Sequence, residues 1–308
     1  MPVEAAIVSI GARAASALRR HQRWTAVAQF ERSLYLRHGD AFVCIGDPSI
    51  GDGPLNVIVE EGVMPAFAAG SLFEQAAAPH PNPFPLQGER RGRGNCATSC
   101  SLSLLMPDGT VLSAELASLW QPPAWPDAVH AALARERISA VLDAGRTAAP
   151  AASFIHAVRP ETATGDFLTR RAAEGLRRLR RALVPQTAPD FTTAATTLLG
   201  LGHGLTPSGD DVLSGAVIML HALGATETAT ALAEAIRRHM RTLTSPLSCA
   251  LLDAACDGEP NAAMFQAIEA QIEGVAITDV IAPLATIGHA SGFDILAGIL
   301  LVVEATAN

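Results

Sequence analysis

At 308 residues with 49% hydrophobic content, the chain has room for one large domain or two ordinary ones and ample apolar mass for a core. All 22 basic residues are arginine, which excludes a Schiff-base lysine, a lysine general base and the lysine of a P-loop. A net charge of −8 argues against a nucleic-acid partner, and the longest apolar run, residues 295–303, is far too short to span a bilayer.

The N-terminal stretch carries arginine and alanine without a continuous apolar core, so no signal peptide is expected. Short strand-like runs follow at 33–36, 41–45, 56–59, 101–105 and 110–112, separated by turn signals such as Gly51-Asp52-Gly53-Pro54 and Pro107-Asp108-Gly109. They define a β-rich domain over 1–125, a sandwich or a barrel. Within it, residues 78–95 are rich in Pro, Gly and Arg and lack apolar periodicity, as expected for a disordered surface insertion. The five cysteines are odd in number and scattered, which suits a reducing cytoplasm. Cys96 and Cys100 have no second pair to complete a zinc site.

After Pro122, Pro123 and Pro126 the texture changes to Ala/Leu/Arg-rich helical periods and stays so to the end. Helices are expected over 127–143, 161–184, 189–200, 208–223, 226–242, 246–257, 261–273, 278–288 and 291–306. The fold class is therefore α+β, with the β-rich domain followed by a mainly helical domain at 126–308. The helix at 161–184 carries Arg170, Arg171, Arg177, Arg178, Arg180 and Arg181 opposite an apolar stripe. That face is either solvated or turned to a partner.

Two helix starts in this second domain read almost alike. Ser208-Gly209-Asp210-Asp211-Val212-Leu213-Ser214-Gly215 and Ser291-Gly292-Phe293-Asp294-Ile295-Leu296-Ala297-Gly298 both follow S-G-x-D-x-L-x-G. Serine with aspartate three residues on suits a helix cap, a carboxylate variant of the capping box. A mid-helix glycine costs roughly 1 kcal/mol relative to alanine, so Gly215 and Gly298 at matching places call for a reason, the simplest being close helix–helix or helix–ligand approach. The reading is of two paired helix starts brought together around one site.

The first start is preceded by Gly200-Leu201-Gly202-His203-Gly204-Leu205-Thr206-Pro207. Glycines at alternate positions let the backbone come close to a ligand, and a helix N-terminus favours phosphate or carboxylate. Asp211 is accounted for as the capping acid, which leaves Asp210 for chemistry or for holding Mg²⁺. His203 and His289 stand just ahead of the two starts and are candidates to move a proton. A tight turn into a core helix would explain the same loop without a ligand.

The segment Gly202-His203-Gly204-Leu205-Thr206-Pro207-Ser208-Gly209-Asp210-Asp211, with Gly288-His289-Ala290-Ser291-Gly292-Phe293-Asp294, resembles a bacterial family that includes a subunit of oxamate carbamoyltransferase from allantoin degradation. Weaker similarity lies at 45–54 and 244–254. The resemblance implies purine catabolism in a multi-subunit complex, with an acyl-CoA-synthetase-like subunit and a further uncharacterised subunit as partners. The complex would transfer carbamoyl between oxamate and phosphate, yielding carbamoyl phosphate.

In that frame, Gly202, Gly204, Thr206, Ser208, Gly209 and Asp211, together with Ser291, Gly292 and Asp294, are the expected substrate-binding residues. Asp210, with Mg²⁺ as the cofactor considered for it, would orient the reacting group, and His203 or His289 would act on the proton. Asp210→Asn is then expected to abolish turnover with folding intact. Two other readings stay open: a non-catalytic scaffold subunit, and a stand-alone metal-dependent hydrolase using Asp210, Asp211 and Asp294 as oxygen ligands.

Overall fold

The computed structural model describes residues 4–63, 67–75, 102–125, 135–159, 167–184 and 189–306. The 78–95 segment, Cys96 and Cys100, and the beginnings of the helices expected from 127 and 161 lie outside the described residues. The chain divides into two compact units, 1–123 and 124–308.

The first unit is a closed β-barrel. Its strands are β1 (Glu4–Gly11), β2 (Arg23–Gln29), β3 (Ser33–His38), β4 (Ala41–Gly46), β5 (Asn56–Val59), β6 (Leu72–Gln75), β7 (Ser103–Leu105), β8 (Val111–Ser113) and β9 (Ser118–Trp120). Hydrogen bonding runs β5-β4-β3-β2-β6-β7-β8-β1, and β1 closes the circuit by pairing antiparallel with β5 through Ile7, Ser9 and Ile10. β9 adds to β1 in parallel at residues 9–11, beyond the three residues that pair with β8. Closure removes the unpaired edges a sandwich would have to protect, and it decides between the two β architectures open to the sequence.

Alternate residues of each strand fill the interior: Trp24 and Ala26, Leu34 and Leu36, Val43 and Ile45, Val57 and Val59, Phe73, Leu104 and Leu112. A short helix, α1 (Ala12–Arg20), packs Ala14, Ala15, Ala17 and Leu18 into the same core. Neither β1 nor α1 is apparent from the sequence, because alanine serves strand and helix alike and dilutes both periods.

Cys44 lies in this unit, 5% exposed, and burial pushes its thiol up to about 12 against hydrogen bonds involving Tyr35 and Ser33. A thiol reacts as its thiolate, so an alkylating reagent at pH 8 is expected to spare Cys44 in the folded chain and to modify it after denaturation. Peptide mass spectrometry, with the half-buried Cys249 as internal comparison, checks this; equal native rates at the two cysteines would contradict it.

The second unit holds nine α-helices among the described residues: α2 (Arg135–Ala148), α3 (Phe167–Leu183), α4 (Phe191–Leu198), α5 (Ser208–Ala222), α6 (Thr226–Leu243), α7 (Pro246–Cys256), α8 (Ala262–Glu273), α9 (Ile277–Leu284) and α10 (Ser291–Thr306). Six of them, α4 to α8 and α10, begin and end within about two residues of where apolar spacing and caps place them. α2 runs on past residue 143 through Gly145, where a side chain would press on Ile155 and Leu296. α9 stops at Leu284, short of 288, where the Pro283 and Leu284 carbonyls accept from the N–H groups of Thr286 and Ile287, three residues on, in place of further α-helical bonds.

α5 and α10 are buried on nearly every side and pack on each other more extensively than any other pair of elements among the described residues. Helices apolar all round belong at the centre of an α domain, and the remaining helices surround them. Part of the arginine face of α3 is engaged within the fold. Arg177 and Arg178 pair with Glu174 on α3, while Arg180, with Arg159, reaches Glu304 on α10.

Candidate functional site at the paired helix starts

The two similar segments form a structural repeat. α4, a loop and α5 correspond to α9, a loop and α10. In each, the glycine after the first serine lies against the carbonyl of the last residue of the preceding helix: Gly209 on Leu198, Gly292 on Leu284. A Cβ at either glycine would overlap that carbonyl. Further along the two helices, Gly215 lies on the carbonyl of Ile295, and Gly298 on that of Val212. Val212 and Ile295 hold equivalent places in the repeat, so the contact is reciprocal, as about a local two-fold axis. The mid-helix glycines exist to bring the two backbones together.

That approach juxtaposes the helix starts. Thr206 Oγ1 lies 3.3 Å from Ser291 Oγ. The Ser291 hydroxyl faces the Asp211 carboxyl, and the Ser208 hydroxyl faces that of Asp294, so each helix turns its serine to the other's acid. This departs from the expected capping. Pro207 precedes α5, no side chain caps it, and the N–H groups of Asp210 and Asp211 donate to the Pro207 carbonyl at 2.9 and 3.2 Å. Ser208 is already the first helical residue, too far in to act as cap, so both it and Asp211 are released for the inter-helix contact.

The three acids differ. Asp210 is 1% exposed, and both its oxygens are engaged. Oδ1 accepts from the Gly200 N–H at 2.8 Å; Oδ2 accepts from the hydroxyls of Thr244 and of Ser248, the latter at 2.6 Å. Asp210 thus ties the Gly-rich loop, the end of α6 and the first turn of α7 to the start of α5. Burial raises its carboxyl above the ordinary range, while these donors oppose the rise.

Asp294 is equally buried, and its Oδ1 accepts from Ser153 Oγ at 2.7 Å and from the Phe154 N–H at 2.6 Å. Its Oδ2 and the Oδ2 of Asp211 are buried without a hydrogen-bond partner. Burial holds Asp211 well above the usual carboxylate range; the Ser291 hydroxyl opposes this, and the charges of Asp294 and Asp210 add to it. Asp294 is raised by burial too, against Ser153, Ser208, the Phe154 N–H and the charge of His156.

Around these acids the loop is shaped by glycine. Gly200 and Gly202 have positive φ and lie against Leu243 and Ser208, leaving no room for a side chain. The Gly209 N–H donates to the Leu201 carbonyl at 2.8 Å, and Ser245 Oγ donates to that of Leu205 at 2.6 Å. Gly204 and His203 are exposed on this loop, and His289 is exposed on the matching one. Neither histidine is a hydrogen-bond partner of the three carboxyls; the histidine whose charge reaches Asp294 is His156. Ser153, Phe154 and His156 carry no signal in the sequence, because they lie about 140 residues from Asp294 and nothing local marks them. Among the described residues, no group of three or more His, Cys, Asp or Glu side chains is placed to hold a metal ion.

Fold and site together define an α+β protein with a barrel unit and a helical unit, the latter built around paired small-residue helix starts with two unsatisfied buried carboxyl oxygens. Residues 198–303 match the family AllH, described as oxamate carbamoyltransferase subunit AllH, which supports the family that the residue pattern resembles. The match runs from the last residue of α4 into α10 and so contains both halves of the repeat. No curated protein and no solved structure matches the chain. No described helix is long and apolar enough to cross a membrane.

Proposed function

We propose that the chain is a subunit of a cytoplasmic carbamoyltransferase that moves carbamoyl between oxamate and phosphate, working with an acyl-CoA-synthetase-like subunit and a further subunit. The observation that carries this reading is the placement of the family match, which covers the α5–α10 pairing and the loops leading into it. The small anion is held at the mouth of the pairing by the hydroxyls of Thr206, Ser208 and Ser291 and by the backbone of Gly202 and Gly204. Gly209 and Gly292, whose N–H groups donate to the Leu201 and Ile287 carbonyls, let the helix starts come close.

The N–H groups of residues 209–211 already donate to the Leu201 and Pro207 carbonyls, so hydroxyls and loop backbone carry most of this binding. Asp210 positions the loop, Asp211 and Asp294 lie beneath the reacting group, and His203 or His289, exposed at the rim, moves the proton. In the direction of phosphate release, the oxamate nitrogen bonds to the carbamoyl carbon of carbamoyl phosphate, and the bond from that carbon to the phosphate oxygen breaks. The nitrogen's proton passes to the histidine and phosphate leaves; the reverse direction yields carbamoyl phosphate. Positioning and charge stabilisation accelerate such a step without a covalent enzyme intermediate.

The test is recovery of the tagged chain from its native host, followed by an assay of phosphate release from carbamoyl phosphate. Near-equal recovery of an acyl-CoA-synthetase-like protein, with phosphate release that depends on oxamate, is the expected result. Recovery of the chain alone, or of a complex whose phosphate release ignores oxamate, overturns the reading.

A further inference from the structure

The unsatisfied oxygens between the helix starts ask for a positive partner. Asp211 Oδ2 and Asp294 Oδ2 have no hydrogen-bond donor and almost no contact with solvent, although they belong to two acids that feel each other's charge. A buried polar oxygen without a partner is strongly disfavoured, so native structures rarely keep two together without something to satisfy them. The side chains from the opposite helix that face the two acids are hydroxyls, Ser291 at the Asp211 carboxyl and Ser208 at that of Asp294. Thr206 lies next to Ser291. The donor set is oxygen alone, with no His or Cys. Carboxylate and hydroxyl oxygens select hard cations rather than zinc or copper.

We propose that Asp211 and Asp294, with the hydroxyls of Ser208 and Ser291, hold one hard divalent cation of the Mg²⁺ or Ca²⁺ class between the starts of α5 and α10. The charge balance gives the ion a role that rests on the anion-binding reading above. Ionised together, the two carboxylates carry −2 against roughly half a unit of positive charge from each helix start, which burial and their mutual repulsion disfavour and which would repel a small anion. A divalent cation reverses the sign and lets the hydroxyl-lined mouth accept oxamate or phosphate. Two of the four ligands are hydroxyls, so the site differs in kind from the clusters of three acids or histidines that are absent among the described residues.

Equilibrium dialysis of the chelator-treated chain against Mg²⁺ and, separately, Ca²⁺, with metal analysis, tests the site without any transferase assay. Saturable uptake of about one ion per chain, with a rise in Tm over the same concentrations, is expected; KCl at equal ionic strength gives neither. Asp294→Asn should lose uptake, whereas Asp279→Asn, an exposed acid on α9, should keep it. Circular dichroism shows whether Asp294→Asn folds. If it does not, Ser208→Ala and Ser291→Ala replace it, each expected to weaken uptake at least several-fold.

Absence of saturable uptake by the wild-type chain overturns the proposal, as does uptake unchanged in folded Asp294→Asn. A stability that falls with rising pH and ignores both cations assigns the pair to a shared proton, and the proposal fails. Cation binding in a chain whose complex shows no oxamate-dependent transfer would sink the proposed function and leave the site standing.

Discussion

Gly298→Ala is expected to destabilise the helical unit by about 2–3 kcal/mol, read as a lower denaturant midpoint with an unchanged slope. Two effects of opposite sign compete. Alanine is the better helix former by roughly 1 kcal/mol, so the substitution would stabilise an isolated or exposed helix. Here the new Cβ would overlap the Val212 carbonyl and press on the Ala216 nitrogen. These are backbone atoms of a fully buried helix, which no rotamer change can move. Overpacking in a dense core outweighs the propensity gain, because the two most extensively packed helices must separate and every side chain between them loses contact. Gly215→Ala meets the Ile295 carbonyl in the same way and should cost a similar amount. The double variant should cost less than the sum, since one widening of the helix pair relieves both clashes. A stabilised or neutral Gly298→Ala would show that the two helices do not touch as described.

Asp210→Ala is expected to cost about 3 kcal/mol and to remove any ligand-dependent stabilisation along with it. Three donors lose their acceptor at once: the Gly200 N–H and the hydroxyls of Thr244 and Ser248. Hydrogen bonds to a charged group contribute roughly 1.5–3 kcal/mol each, and a buried backbone N–H left unpaired adds its own penalty. The sum is reduced because a buried carboxylate also gives up its desolvation cost when removed. Asp210→Asn is milder: its side-chain oxygen can still accept from Gly200, and its amide can donate to hydroxyls that turn to accept. Comparing the two by thermal unfolding separates the tether from any part in turnover. If Asp210→Ala unfolds like the wild type, the three hydrogen bonds do not hold the loop.

This geometry changes what is asked of residue 210. Sequence reasoning sets Asp211 aside as a cap and keeps Asp210 for chemistry, because one acid suffices to cap a helix. The fold places Pro207 at the cap, gives Asp210 three internal partners and leaves the unsatisfied oxygens on Asp211 and Asp294. Which of two adjacent carboxylates points inward to a tether and which points across to the next helix depends on the rotation of α5 about its axis. Packing against α7 and α10 sets that rotation, and no local pattern encodes it.

Much else is legible locally. The apolar period and the turn residues mark six helices of the second unit almost to the residue, since helix formation depends on neighbours three and four positions apart. The repeated S-G-x-D-x-L-x-G announces both helix starts, and its matched mid-helix glycines announce a close approach to a helix or a ligand, which the structure resolves as helix on helix. Strands β3, β4 and β5 are visible as apolar runs between turns. β6 and β9 are not, being three or four residues long and half polar, and β1 is hidden by alanine.

What the sequence by itself determined is therefore the local grammar: an α+β chain without lysine, a glycine-rich loop, and two helix starts cut to the same pattern. Only the tertiary structure decided that the strands close into a barrel, that Ser208 and Ser291 each face the other helix's acid, and that Ser153 and Phe154 complete the surroundings of Asp294 from about 140 residues away. The reason is range. Capping and periodicity act within a few residues of chain, whereas barrel closure and the pairing of buried acids with distant donors are settled by which faces the compact chain can bury together.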